Sequence, residues 1–434
     1  MTVRARALLV ASLALSAASL GPGSARADDS NFRPYIVGSR AAGMGGAFTA
    51  LADDGSGPFY NPGGLAFVKR SQLSLAGSVY GIVSGTFTDA LGPGHDFNFS
   101  DLNTLPTATA GVWKVRDSGP EGSSDVLALS IFVPDAVNED DRDTLLSQQN
   151  AFFLVNQTQT VWGGLTYAHR MGRVGLGVSG FLLYGTQTTQ LDATLASSNT
   201  QFATVTYRSD ESSYGVVGAV GVRWDVSDAF RLGVSAYSPE VGGGSRRLFL
   251  RAAAGTGTAS AIEVLNVDGL HSSPTLPLRV QGGVAYTSGP FTLAADIIWL
   301  APREVVDDAG TVVQNVPLEN HVVRNGVVNG SLGGEYLLGE SFPLRAGFFT
   351  DFAASNATSA TSDVANSSHV NRFGGTLSIG YLTEHTATNL GVNLSGGSGN
   401  DLVPSDITTL NFTSKVTSSS QLFAYLFLGT SYEF

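Results

Sequence analysis

The chain has 434 residues, a formal net charge of −12, no cysteine, 53 glycines and only 14% charged residues, against about 25% in soluble domains. The acidic balance argues against nucleic acid or any other polyanion as a partner, and the lack of cysteine excludes disulfides and thiolate metal sites. Low charge with abundant Gly, Ser and Thr leaves a barrel wall or a disordered chain, and hydrophobic periodicity decides between them.

In chain order, Arg4 and Arg6 precede an apolar run over 7–20, followed by Gly-Pro-Gly and Ala25-Arg26-Ala27. That is the charged, apolar, small-residue order of a secretory signal peptide, so residues 1–27 are predicted to be a leader cleaved before Asp28. The run is too short for a transmembrane anchor. Losing the three leader arginines leaves 21 basic and 36 acidic residues, a net charge of −15. Residues 28–70 lack membrane-spanning alternation. Within them Gly43, Gly45 and Gly46 permit tight backbone packing, Phe48, Leu51, Phe59 and Tyr60 supply apolar bulk, and Asn61-Pro62-Gly63 reads as a turn. The segment is either a periplasmic extension or a plug folded into a lumen.

From residue 71 to 434 alternation recurs. Tyr214, Val216, Gly218, Val220, Val222 and Trp224 form one greasy face, and the intervening residues are small or charged. Ten residues at roughly 3.3 Å each, tilted near 40°, span about 25 Å, the height of an outer-membrane apolar band with an aromatic at each rim. Fourteen such strands are predicted, beginning near Ser71, Thr104, Ser123, Gln157, Gly172, Asp210, Ala229, Thr275, Pro290, Val322, Phe342, His369, His385 and Ser420. Short connections alternate with long ones, the pattern of an up-and-down barrel with short periplasmic turns and long outer loops. Soluble sheets average five or six residues per strand, and an open edge in lipid leaves costly unpaired backbone groups. The expected fold is therefore all-β, a closed transmembrane antiparallel barrel of about 14 strands in a bacterial outer membrane.

Catalytic and metal signals are weak. No G-x-S-x-G or H-E-x-x-H occurs, and the six histidines are scattered, which leaves a cross-strand Ser–His pair as the one route to a hydrolase. No cofactor or metal is expected, and the chain is not read as an enzyme. Lumen-parity charges are Arg223, Arg279, Arg345 and Arg372 with Asp296, Glu335 and Asp351. Arg279 and Arg372 lie near the outer mouth and are the candidates to meet a ligand carboxylate. Two predicted outer loops are unusually apolar, 144–155 with Phe152 and Phe153, and 246–270 with Phe249. They pack on each other or on lipopolysaccharide, or they form a landing site for a hydrophobic solute.

The stretch SRAAGMGGAFTALADDGSGPFYNPGGLAF, residues 39–67, resembles the N-terminal hatch of the outer-membrane long-chain fatty-acid and aromatic-hydrocarbon transporters, the FadL/TodX-like family, with Gly63 where that family's Asn-Pro-Ala signature has Ala. The stretches LPLRVQGGVAYTSGPFTLAADIIWL, FPLRAGFFTDF and RFGGTLSIGY resemble its later strands. The resemblance implies a monomeric fourteen-stranded barrel over 71–434 plugged by its own residues 28–70, and lateral exit of a fatty acid or hydrocarbon through the wall. Gly43, Gly45, Gly46, Asn61, Pro62 and Gly63 are then the hatch and hinge, and Phe48, Phe59, Tyr60, Arg279, Arg372, Phe152, Phe153 and Phe249 are candidates to touch the solute. Membrane lipid and lipopolysaccharide are the expected surroundings. A general porin, a secretion-system or surface-assembly barrel subunit and a barrel hydrolase are the alternatives.

Overall fold

The structure is a computed structural model that describes residues 31–32, 35–90, 94–118, 122–145, 150–198, 201–256, 259–314, 316–359, 368–406 and 413–434. The leader expected at 1–27 lies outside them. Twenty strands follow one another: β1 (Gln72–Phe87), β2 (Phe97–Asp117), β3 (Ser123–Leu145), β4 (Asn150–Met171), β5 (Val174–Ser198), β6 (Gln201–Asp225), β7 (Phe230–Tyr237), β8 (Val241–Thr256), β9 (Ala259–His271), β10 (Arg279–Ser288), β11 (Phe291–Leu300), β12 (Arg303–Asp307), β13 (Val312–Val313), β14 (Val316–Pro317), β15 (Asn320–Arg324), β16 (Val327–Leu338), β17 (Phe342–Asp351), β18 (Ser368–Leu382), β19 (Thr386–Asp406) and β20 (Thr413–Glu433).

Fourteen of them make a closed antiparallel ring: β1 to β7 in order, then β10, β11 and β16 to β20, with β20 pairing back on β1 from Phe87↔Ser419 to Gln72↔Glu433. Closure satisfies every edge, which lipid demands. The short turns at 172–173, 289–290 and 339–341 carry Gly172, Gly289 and Gly339 at positive φ, where a side chain would be strained.

The wall obeys the predicted parity. On β6, Tyr214, Val216, Val220, Val222 and Trp224 face outward, while Val217, Ala219 and Arg223 are buried inside. Leu165, Leu182, Leu293, Ile297 and Leu377 continue the outward apolar band around the ring.

The strands are of unequal height. β7, β10, β11 and β17 have 8 to 10 residues, whereas β3 to β6 have 22 to 25, more than twice what a bilayer requires. Their outer ends therefore stand clear of the membrane, joined by the β8–β9 hairpin, which pairs on β6 above the end of β7. This corrects the two predicted apolar loops. Residues 144–155 and 246–270 belong largely to strands, and Leu154, Leu248, Leu250, Leu265 and Leu270 are buried in an outer apolar cluster with Phe87, Phe97 and Phe423. Packing on one another, rather than facing solvent, is what their apolar character serves.

The ring also parts at one place. β2 and β3 pair only from Asp117↔Ser124 to Ala108↔Phe132. Beyond that point, among the described residues, β2 continues along β1 and β3 along β4, with a register shift between Phe132 and Asp135.

The outward band yields a direct test. Val220, 57% exposed at the protein surface and between the rim aromatics Tyr214 and Trp224, lies near its middle, and Val220→Arg should destabilise the barrel by about 2–4 kcal/mol in phospholipid vesicles. Denaturant titration of reconstituted protein measures this, and an unchanged midpoint would show that the face does not meet lipid.

Candidate functional site

Residues 35–68 lie against inward-facing wall residues. A helical turn at Ser39–Gly43, another at Gly57–Tyr60 and a 3-10 turn at Pro62–Phe67 are joined by irregular backbone. Irregular backbone can be buried only if its N–H and C=O groups find partners. The wall supplies them. Asp296 accepts from the N–H groups of Phe48 and Thr49, each 2.8 Å, and from the Thr49 hydroxyl at 2.7 Å. The Tyr60 carbonyl accepts from Ser235 Oγ and Gln281 Nε2, and the Leu51 carbonyl from Arg223 Nη1.

Glycines let the two backbones approach this closely. A Cβ at Gly233 or Gly283 would strike Thr49, and one at Gly333 or Gly347 would strike Met44 and Gly45. The relation is reciprocal at the glycines of the N-terminal segment. Gly45 and Gly46 have φ of +63° and +79°, and a Cβ on Gly45 would come within 2.7 Å of the Phe348 nitrogen. Gly43 closes its helical turn against Ser378 and Arg345. Asn61 is fully buried, donating to the carbonyls of Thr49 and Val222 at 2.9 Å and accepting from the Gly63 N–H at 3.0 Å, with Pro62 opening the following turn. The departure at Gly63 from the family's Ala has a cause here: a Cβ would lie 2.6 Å from the Gly221 carbonyl oxygen and 2.8 Å from that of Gly175.

Phe59 points the other way, into an aromatic group on the wall. Its ring centroid lies 5.7 Å from Phe132, 5.6 Å from Trp162 and 5.4 Å from Tyr60, and Phe181 packs on both Phe132 and Trp162. Phe48 meets Tyr60 edge-on at 5.5 Å. The Arg279 guanidinium stacks over Phe59 and Tyr237 at 4.8 and 3.8 Å and donates to the Phe59 carbonyl. Four sequence-predicted residues, Phe48, Phe59, Tyr60 and Arg279, thus come together. Phe132, Trp162 and Phe181 were missed, although they are aromatics at lumen parity, where most neighbours are small.

The other candidates lie elsewhere. Arg372 is buried and ion-paired with Asp351 at 2.8 Å, so its charge is already answered, contrary to the expectation that it awaits a carboxylate. Phe153 and Phe249 sit half-buried on the extended strands, on the face opposite Leu154 and Leu248. Phe152 takes its place in the ladder opposite Asp143 and Ala193, and its side chain lies outside the described residues. Among the histidines, His369 Nδ1 is 3.2 Å from Ser355 Oγ, but that nitrogen also lies 3.0 Å from the Ser355 carbonyl, and the hydroxyl donates to the Ser368 carbonyl at 2.6 Å. The contact ties a loop to a strand.

Charge also holds the N-terminal segment to the wall. Arg40 pairs with Asp53 at 2.7 Å and approaches Glu335 at 3.6 Å, Asp53 pairs with Arg223 at 3.1 Å, and Glu335 with Arg345 at 2.6 Å. Burial alone would raise the Asp53 carboxyl, but Arg40 and Arg223 outweigh it and hold the group at about 2. Burial raises the neighbouring Asp54 despite Arg40.

A closed antiparallel ring of this size, apolar outside and crossed within by the segment preceding its first strand, defines a transmembrane barrel of the bacterial outer-membrane kind. Its fold is that of the FadL- and TodX-like proteins. A FadL homologue of Pseudomonas aeruginosa is 13% identical over 93% of this chain and 100% of that one, with a TM-score of 0.63. The toluene transporter TodX of P. putida is 14% identical over 93% and 99%, TM-score 0.63, and the toluene transporter TbuX of Ralstonia pickettii 14% identical over 92% and 98%, TM-score 0.58. No family model matches the chain and no curated protein matches it in sequence.

Two expectations follow. Gly347→Val should expel the Met44–Gly45 backbone from its seat, and single channels in planar bilayers should then conduct ions more than wild type; unchanged conductance would refute the seating. Because the folded value of Asp53 lies below its ordinary 3.8, its contribution is fully present above that pH and is lost as pH falls through about 2. Thermal unfolding followed across this range should show the loss in wild type and not in Asp53→Asn.

Proposed function

We propose that the chain is an outer-membrane channel through which hydrophobic small molecules enter by diffusion, with residues 28–70 acting as a movable hatch. The observation that carries this reading is the position of Phe59: it projects from the N-terminal segment into Phe132, Trp162 and Phe181, and Phe132 is the residue at which β2 and β3 part. An apolar surface inside, a break in the wall and lipid outside make a continuous path for a molecule that water rejects. Lateral exit through that break is the reading we adopt. The similar solved structures include proteins described as toluene transporters and monoaromatic hydrocarbon channels, and we extend that class of solute, with fatty acids, to this chain.

The energetics require movement. Each buried CH₂ contributes about 0.8 kcal/mol, so a long chain held along its whole length would leave slowly. Release needs a second conformation of lower affinity. The cavity between Tyr35, Ile36, Asn393, Tyr425 and Phe427 has a volume of about 20 Å³, room for a water molecule and not for an acyl chain. Gly45 and Gly46, already at positive φ, are the hinge because glycine absorbs backbone change with little strain. Arg279 is less a carboxylate hook than a flat cap, since its guanidinium is stacked on two rings.

Expression in a host lacking its own hydrophobe channel should restore entry of radiolabelled toluene or oleate, and Phe59→Ala should slow entry several-fold without loss of the folded barrel. Entry no faster than in the empty host would refute the proposal.

A further inference from the structure

On the inward faces of β18, β19 and β20, one row of the ladder reads Arg372, Gly397, Gln421. Strand spacing puts the outer two Cα atoms about 10 Å apart, and the glycine between them has no side chain. The Arg372 guanidinium reaches across to β20, where it lies 4.8 Å from the Phe423 ring, two residues from Gln421 on the same face. Arg372 is 2% exposed and Gln421 0%.

Their polar atoms are not all used. Arg372 gives Nη2 to Asp351 at 2.8 Å, but its Nη1 has no partner among the described residues, and neither do Nε2 and Oε1 of Gln421. Among the described residues Ser419 Oγ, the next inward group on β20, also lacks a partner, as does Oδ1 of Asn31, whose Nδ2 donates to the carbonyls of Asp351 and Val370. Buried polar atoms left without partners are costly. Here several lie beside the outer apolar cluster, at the level between Phe87 and Phe423 on the facing strands β1 and β20.

Charge selects what could meet them. Asp351 answers Arg372. Asp401, buried one inward position from Gly399, accepts from Ser368, and Lys415 lies farther up β20, donating to the Asp89 carbonyl. An ionised carboxylate would therefore enter as an uncompensated buried anion beside Asp351, which is strongly unfavourable. An uncharged oxygen accepts from Arg372 Nη1 and Gln421 Nε2 without that penalty, and a hydroxyl also donates to Gln421 Oε1.

We propose that Arg372, Gln421 and Ser419 form a polar-head subsite in the outer lumen for an uncharged oxygen-bearing hydrophobe, a long-chain alcohol or its like, whose apolar body lies against the aromatic cluster. The subsite rests on the reading that hydrophobes enter the lumen, and it makes a choice among them that the aromatic group at Phe59 does not.

Equilibrium dialysis of the full chain in amphipol against 1-decanol, decane and decanoate, at a pH where decanoate is ionised, tests it. Decanol should bind about tenfold tighter than either of the others, the worth of one or two hydrogen bonds. Gln421→Leu should abolish the advantage of decanol over decane, and Asp351→Asn, by releasing the Arg372 charge, should improve decanoate binding about tenfold. Equal binding of all three probes by the wild type, which needs no variant to fold, would overturn the subsite and leave the uptake reading standing. Binding of none of them would overturn both. Retention of the full decanol preference in Gln421→Leu would overturn the assignment of Gln421.

Discussion

Direct contact between two backbones governs this structure. The segment before β1 meets the wall where the wall has no side chains, at Gly175, Gly221, Gly233, Gly283, Gly333 and Gly347. An inward Cβ at such positions would hold the two main chains apart and leave the buried N–H groups of Phe48 and Thr49 beyond reach of Asp296. The high glycine content of the chain thus has a second cause beside barrel turns. Inward glycines make the seat, inward polar groups satisfy what is seated, and the aromatic group at Phe59 fills the space the seat leaves.

The membrane-embedded part was legible because lipid permits so little. A strand in contact with hydrocarbon must be apolar on every second residue and hydrogen-bonded throughout, so residues such as Leu182, Val220 and Ile297 declare both strand and face. Outside the bilayer that constraint lapses. The outer halves of β5 and β6, rich in Thr, Gln and Ser, add side-chain bonds such as Thr188 to Asp210 and Arg208 to Gln190 to their main-chain ladder, and this polar composition hides the strand, so the predicted start of β6 near Asp210 falls short of the observed Gln201. The loops read at 144–155 and 246–270 failed for another reason, that both faces of those strands carry apolar residues, Phe153 beside Leu154 and Phe249 beside Leu248.

The site was partly legible. The stretch 39–67 stands out by its own residues, and it brings Phe48, Phe59 and Tyr60 together with Arg279 much as apolar bulk and lumen parity suggest. Parity tells which way a side chain faces and not which strand stands beside it. The sequence therefore shows Arg372 and Asp351 as two lumen charges, while the pairing that neutralises them depends on the register of β17 against β18. The row joining Arg372 to Gln421 needs two successive registers and was out of reach for that reason.

The seam between β1 and β20 joins the first strand of the ring to the last, ending in a bond from the Phe434 nitrogen to the Ser71 carbonyl. Contacts so distant along the chain form late and slowly. The N-terminal segment enters β1 directly and ends up inside the ring, so it must already be nested when the seam zips, or else thread through a finished cylinder. The topology thus leaves two orders of assembly, one in which the segment is enclosed as the last strand closes on the first and one in which the finished ring takes it in afterwards.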